Sequence, residues 1–449
     1  MRYLPLTEPA REEIKKVIGI GDVRELFRSI PKDQRFFSLD AIPAALSEPE
    51  LIADFKALGG KNSFREYLSF LGSGAHAHFI PEVVSYLSAK GEFLTPYTPY
   101  QPEISQGSLQ AIFEYQTMMS MLTGLPVANA SLYDGGTAAA EALLLAVRKS
   151  GRQRVLLAES LHPEYMAIIR SYVQNLSIEL VTVPVDPQDG RIDVRDLRSK
   201  LNDRTAAFVF QSPNFLGLVE DSGVLAAAVH QSQAVAVQVV AEAMSLAYLR
   251  PAADFAVDIV AGEAQSFGLS LGFGGPYLGF LTAREEFLRQ LPGRIVGQTK
   301  DVDGKRGYVL TLSTREQHIK REKATSNICS NEAWCALRAG MYLATMGKEG
   351  LAQAAGDCHL NAAYFVREVA KLPQVRVVYK RNFYNEVLLE INKGTAAAFL
   401  AALKKNKVLA GIPLDWFYPE ATRRVLLSFS ETHGREDIDR LLRLIGECA

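Results

Sequence analysis

The stretch Asp258-Ile259-Val260-Ala261-Gly262-Glu263-Ala264-Gln265-Ser266-Phe267-Gly268, followed by Gly272-Phe273-Gly274-Gly275-Pro276, decides the fold. It reads as a strand that runs into a polar segment and then a glycine-rich turn. Towards the N-terminus, similar short runs recur between helical stretches: Val155-Leu156-Leu157-Ala158, Leu180-Val181-Thr182-Val183, Ala207-Phe208-Val209-Phe210 and Val235-Ala236-Val237. Strands alternating with helices predict an α/β fold with a mainly parallel sheet, covered on both faces. Towards the C-terminus, a helix near Glu332 precedes strand candidates Val375-Arg376-Val377-Val378, Val387-Leu388-Leu389 and Val425-Leu426-Leu427, and a closing helix starts at about Arg435. These are expected to form a smaller α/β domain.

The first ninety or so residues read as short helices. One opens at Ser47-Glu48-Pro49-Glu50, where Ser47 can cap the amide of Glu50 and Glu50 can cap back. This part is expected to be an arm or wrapping layer. From about Phe93 the pattern changes to a long amphipathic helix with Leu109, Ile112, Phe113 and Met119 on one face, closed by Gly124. The expected division is a helical arm over 1–92, a large domain over 93–330 and a small C-terminal domain over 331–449. Gly293 to Tyr308, rich in glycine and mixed charge, is expected to be a flexible surface stretch.

Composition narrows the function. The 449 residues are 48% hydrophobic, enough for a large core and more than one domain. Lys+Arg 49 against Asp+Glu 50 leaves a net charge of -1, so neither nucleic acid nor an anionic membrane is an expected partner. The longest apolar run, Ala234 to Leu249, is interrupted by Gln238 and Glu242, and the N-terminus shows no signal-like apolar stretch. A cytoplasmic protein without a membrane span is the expectation. Cys329, Cys335, Cys358 and Cys448 form no CxxC pair and have no His at zinc-ligand spacing, so spacing suggests no metal site.

Two further segments carry candidate chemistry. Asp134-Gly135-Gly136-Thr137-Ala138-Ala139-Ala140-Glu141 places a glycine turn at the start of an alanine-rich helix, where free amides face an anion or Asp134 simply caps the helix. Pro96-Tyr97-Thr98-Pro99-Tyr100-Gln101-Pro102-Glu103-Ile104-Ser105-Gln106-Gly107 carries three prolines, which rule out a helix and predict an extended loop. It is either a preorganised binding rim or a connector whose tyrosines pack on the core.

The strand, polar segment and glycine-rich turn at 258–276 resemble the cofactor-lysine region of the aspartate-aminotransferase-like (fold type I) pyridoxal-phosphate enzymes. More narrowly, the chain resembles the glycine decarboxylase (glycine cleavage system P-protein) family. The resemblance is carried by FLGSGAHAHFIP (Phe70 to Pro81), TPYQPEISQG (Thr98 to Gly107), NASLYDGGTAAAEA (Asn129 to Ala142), GFGGPYLGF (Gly272 to Phe280) and TREQHIKREKATSNICSN (Thr314 to Asn331). It matches best the first subunit of the two-chain version.

That resemblance implies a heteromeric glycine dehydrogenase (decarboxylating). The complex decarboxylates glycine through pyridoxal phosphate and passes the aminomethyl group to the lipoyl arm of the H-protein. It also implies that this chain is a supporting subunit. Gln265 stands where the catalytic half carries its Schiff-base lysine, and no lysine occurs between Lys200 and Lys300. Glu242 takes the place of the aspartate facing the pyridine nitrogen, and His162 that of the stacking imidazole. Gly135, Gly136, Thr137, His162, Glu242 and Gln265 then form a relic pocket. Tyr97, Tyr100, Gln101, Thr325, Ser326 and Asn327 are candidates to complete the partner's site. The expected assembly is two heterodimers with subunit 2, the cofactor being held covalently by that subunit. Two alternatives stand beside this reading: an autonomous pyridoxal-phosphate transferase anchored on Lys300, Lys305, Lys320 or Lys323, and a non-catalytic anion-binding regulatory module.

Overall fold

The computed structural model describes residues 6–34, 41–95, 97–324 and 331–447. The chain divides into two compact units, Met1–Arg65 and Glu66–Ala449.

The first unit holds the helices Glu8–Ile18 and Glu48–Gly59. Glu50 caps back as its spacing predicts, its carboxylate accepting from the amide (2.8 Å) and the hydroxyl (2.6 Å) of Ser47. None of this unit's described residues is buried. Its described residues therefore form no hydrophobic core of their own.

The second unit begins with strand β1 (Leu68–Ser69), and residues 66–92 belong to it. A seven-stranded sheet follows: β2 (Val127–Ala128), β3 (Arg154–Ala158), β4 (Glu179–Val183), β5 (Thr205–Gln211), β6 (Val235–Val240), β7 (Ile259–Glu263) and β8 (Gly279–Ala283). Their order is β2-β8-β7-β6-β5-β3-β4. The run from β7 to β4 is parallel, as the alternation of strands and helices predicts; β8 is antiparallel to both β7 and β2. No helix separates β7 from β8, so the chain turns back through the glycine segment instead of crossing over. Every residue of β5, β6 and β7 is buried, the mark of a sheet covered on both faces. The helix Gly135–Ser150 lies against it through Ala138, Ala139, Ala142 and Ala146, whose small side chains permit close approach.

The predicted amphipathic helix is Gln106–Thr123, closed by Gly124 in the left-handed conformation (φ 73°). It starts later than the expected Phe93, and a short 3-10 turn at Pro102–Ile104 leads into it, so the extended loop expected over 96–107 is corrected to end at Gln101: proline is well placed in the first turn of a helix. Leu109, Ile112 and Met119 are buried, and Phe113 is half-buried. The expectation of a flexible stretch at 293–308 is corrected. Strands β9 (Ile295–Lys300) and β10 (Arg306–Thr311) form an antiparallel hairpin there. Ile295, Val296 and Tyr308 are buried, and the last two pack with Leu109 and Ile112. The glycine and charge that suggested disorder belong to the turn, where Asp301 accepts from the amides of Asp303 and Lys305 and Gly304 takes φ 79°.

The last third forms a four-stranded antiparallel sheet from β11 (Val375–Val377), β12 (Glu386–Ile391), β14 (Ile412–Pro413) and β15 (Arg424–Ser428), in the order β11-β12-β15-β14, while β13 (Val408–Leu409) pairs with β1. Its core joins Phe365 and Val369 of the long helical segment Asn331–Val369 to Ile438, Leu441 and Ile445 of the closing helix Arg435–Glu447. No helix among the described residues is long and apolar enough to cross a membrane.

Candidate functional site

The C-terminal end of β7 meets the N-terminus of the helix Gly135–Ser150. Glu263, the last residue of β7, is 2% exposed, and its carboxylate accepts three backbone amides: Gly135 on one oxygen, Gln265 and Leu278 on the other, each at 2.9 Å. The amide of Thr137 donates to the Asp134 carboxylate at 2.7 Å, and the Thr137 hydroxyl lies 3.2 Å from the Asp134 amide. Two of the first-turn amides that an external anion would use are thus held by the chain's own carboxylates. Tyr165 closes over this turn; a Cβ on Gly135 would overlap its hydroxyl. Burial pushes the Glu263 carboxyl up to about 7 against the pull of the three amides. The buried Tyr165 phenol is raised further above its ordinary value, by burial first and then by the charges of Glu263 and Asp134.

Gln265 lies two residues beyond this carboxylate and donates its own amide to it. It is 1% exposed and both ends of its carboxamide are engaged, Oε1 by the His76 amide (3.1 Å) and Nε2 by the Leu269 carbonyl oxygen (2.7 Å). Glu242, just beyond β6, caps its own turn through the Met244 amide (2.7 Å) while its second oxygen faces Nε2 of His78 (3.1 Å) and Nδ1 of His76 (3.4 Å). The longer glutamate side chain makes both contacts at once. Burial alone would raise this carboxyl, but the two imidazoles and the hydrogen bonds from His78 and Ser266 outweigh it and hold it at about 2.

His162 is 3% exposed. Its Nε2 donates to the Ser73 carbonyl oxygen (2.8 Å), its Nδ1 accepts from the Glu164 amide (3.2 Å), and its ring stacks on Tyr165 with centroids 4.9 Å apart. Burial lowers its proton affinity, so the imidazole is neutral and fully engaged.

Tyr97 is 79% exposed and Tyr100 54%, so the tyrosines of the proline loop do not pack in the core; the Tyr100 ring carries the Arg294 guanidinium 5.6 Å from its centroid. Gln101 is also exposed. Thr325, Ser326 and Asn327 lie outside the described residues. Lys300, Lys305, Lys320 and Lys323 are all exposed, whereas a lysine that must present a neutral amine to an aldehyde is helped by burial.

Three kinds of comparison agree with this architecture. The model of the "Glycine cleavage system P-protein" family matches residues 1–445. The chain belongs to the glycine cleavage system P-protein family. Among P-protein relatives, a "Probable glycine dehydrogenase (decarboxylating) subunit 1" from Moorella thermoacetica is 46% identical over 442 residues, covering 98% of both chains. One of the same name from Desulfitobacterium hafniense is 44% identical over 448 residues, covering 100% of both. The crystal structure of a glycine decarboxylase (P-protein) of the glycine cleavage system, in inhibitor-bound form, superposes with TM-score 0.88 at 39% identity over 100% of both chains. A sphingosine-1-phosphate lyase of Burkholderia pseudomallei shares the fold alone, with TM-score 0.66 at 14% identity over 93% of this chain and 94% of that one. The predicted α/β class, a pyridoxal-phosphate fold type I architecture, holds for this P-protein chain.

The residues gathered here do not fit covalent pyridoxal phosphate. The amide at position 265 offers no nucleophilic amine, no lysine lies between 200 and 300, and Glu263 and Asp134 hold the Gly135 and Thr137 amides at the helix start. Glu263, Tyr165, His76 and His78 were not singled out from the sequence. A carboxylate ending an otherwise apolar strand is a usable signal, because burying it requires dedicated donors. His76 and His78 sit two apart in an extended segment, a pairing only the fold explains.

Proposed function

We propose that this chain is subunit 1 of a two-subunit glycine dehydrogenase (decarboxylating), and that it supports the covalent chemistry without carrying it. The observation that carries this reading is the Glu263 carboxylate on the Gly135 amide, directly beside a fully engaged Gln265. In this reading subunit 2 holds pyridoxal phosphate covalently, and the complex decarboxylates glycine and hands the aminomethyl group to the lipoyl H-protein. The present chain contributes its folded mass and rim residues, with Tyr97, Tyr100, Gln101, Thr325, Ser326 and Asn327 as the candidates to reach the partner's site. Two heterodimers form the assembly, in the cytoplasm, and the chain divides functionally into an arm, a large and a small domain. Relatives named "subunit 1" support a partnered role. So do a first unit with no buried residue among those described and a rim with Ile104 81% exposed.

Exchange of the glycine carboxylate with carbon dioxide is the direct test, run together with pyridoxal-phosphate absorbance on this chain, on subunit 2 and on the mixture. Activity and cofactor signal that require subunit 2 are expected. Either one in the present chain alone overturns the supporting role.

A further inference from the structure

We propose that His78, Cys358 and Glu431 form a buried structural site for one zinc-class divalent ion. The three residues come from distant parts of the chain: the FLGSGAHAHFIP segment, the helical segment Asn331–Val369 and the loop after β15. Their ligating atoms lie within 4.8 Å of one another. Nδ1 of His78 is 2.7 Å from Oε2 of Glu431, and Sγ of Cys358 is 3.5 Å from the same oxygen. Ligands of a tetrahedral ion with bonds of about 2.0–2.3 Å stand roughly 3–4 Å apart, so modest side-chain rotations admit one. The other oxygen of Glu431 is fixed by the Phe79 amide at 2.8 Å, which keeps Oε2 aimed at the cluster.

The surroundings are those of a coordinated imidazole. With Nδ1 on the ion, the remaining N–H of His78 points to Glu242 at 3.1 Å, and metal-bound histidines ordinarily donate that proton to a carboxylate. Tyr342 supplies an independent observation. Its hydroxyl is buried, finds no hydrogen-bond partner among the described residues, and lies within electrostatic reach of His78, Glu431, Glu242 and Cys358. A water completing the coordination gives that hydroxyl a partner.

Coordination takes the imidazole neutral and the cysteine as its thiolate, the protons passing to solvent. A thiolate, an imidazole and a carboxylate together select zinc over magnesium or calcium. The ion would tie the β1 segment, the long helix and the end of β15 into one unit.

The test uses the full-length, tag-free chain and its complex with subunit 2. After growth with added zinc and gel filtration, one equivalent of zinc per chain is expected, and Co2+ titration should yield a thiolate-to-cobalt charge-transfer band. X-ray absorption on the unsubstituted zinc form should show one sulfur at about 2.3 Å, a readout independent of any variant's folding. Cys358→Ser should abolish the cobalt band while Cys335→Ser keeps it, and Glu242→Gln should weaken binding by about tenfold or more. Substoichiometric zinc, an ion shell without sulfur, or a band that survives Cys358→Ser overturns the site and leaves a proton as the only occupant.

Discussion

The carboxylate of Glu263 accepts the backbone amide of Gly135 at 2.9 Å, across 128 residues of sequence. The first amide of that helix is thereby taken by a carboxyl oxygen of the chain itself.

Glu263→Gln tests how firmly that closure is held. The substituted amide turns a donor towards the Gly135 N–H, leaving it without an acceptor, at a cost of roughly 1–3 kcal/mol in urea unfolding. The folded carboxyl is pushed up to about 7, above its ordinary value. Its stabilising contribution is therefore fully present below about pH 4.5 and is lost as pH rises through about 7. The penalty of Glu263→Gln should be larger near pH 5 than near pH 8; an equal penalty at both would show that Glu263 is ionised throughout.

Gln265→Lys places an amine at the position that the family resemblance aligns with the Schiff-base lysine, without freeing the Gly135 amide. Incubation with pyridoxal phosphate followed by gel filtration should leave no visible absorbance on the protein. A retained band would mean that Glu263 yields to phosphate.

Gly262→Ala tests the packing behind the site. The added methyl overlaps the carbonyl oxygen of Val240 on the neighbouring strand β6, backbone that cannot swing away. A loss of about 3 kcal/mol is expected. Gly356→Ala, in a helix with nothing near the new methyl, should instead stabilise by up to about 1 kcal/mol. Thermal unfolding of both variants gives the comparison.

Ile104→Asp combined with Tyr97→Ala alters two side chains that are 81% and 79% exposed. The circular dichroism of the chain should be unchanged, while association with subunit 2 should weaken by about tenfold. Unaltered association in sedimentation would remove this rim from the interface.

Much of the architecture was legible because it is periodic. β5, β6 and β7 are mostly apolar runs, and Gly124 marks the end of a helix that only a left-handed residue closes so readily. The hairpin β9–β10 was misread because its turn chemistry dominates a stretch whose apolar residues are few and irregularly spaced. The absence of a lysine between 200 and 300 was visible directly, and with it the lack of a local anchor.

The long-range contacts of the site were not visible. Local spacing encodes strands, caps and turns, since these depend on neighbours a few residues away. Glu263 on Gly135, Gln265 on the His76 amide, and His78 between Glu242 and Glu431 join residues 128, 189, 164 and 353 positions apart. No periodicity connects such residues. They meet because the sheet aligns the ends of β6 and β7 with the helix start at Gly135, and because the 70–81 segment and the loop after β15 close over them. Long-range closure, with its requirement that every buried polar group find a donor or acceptor, decided the chemistry of the site.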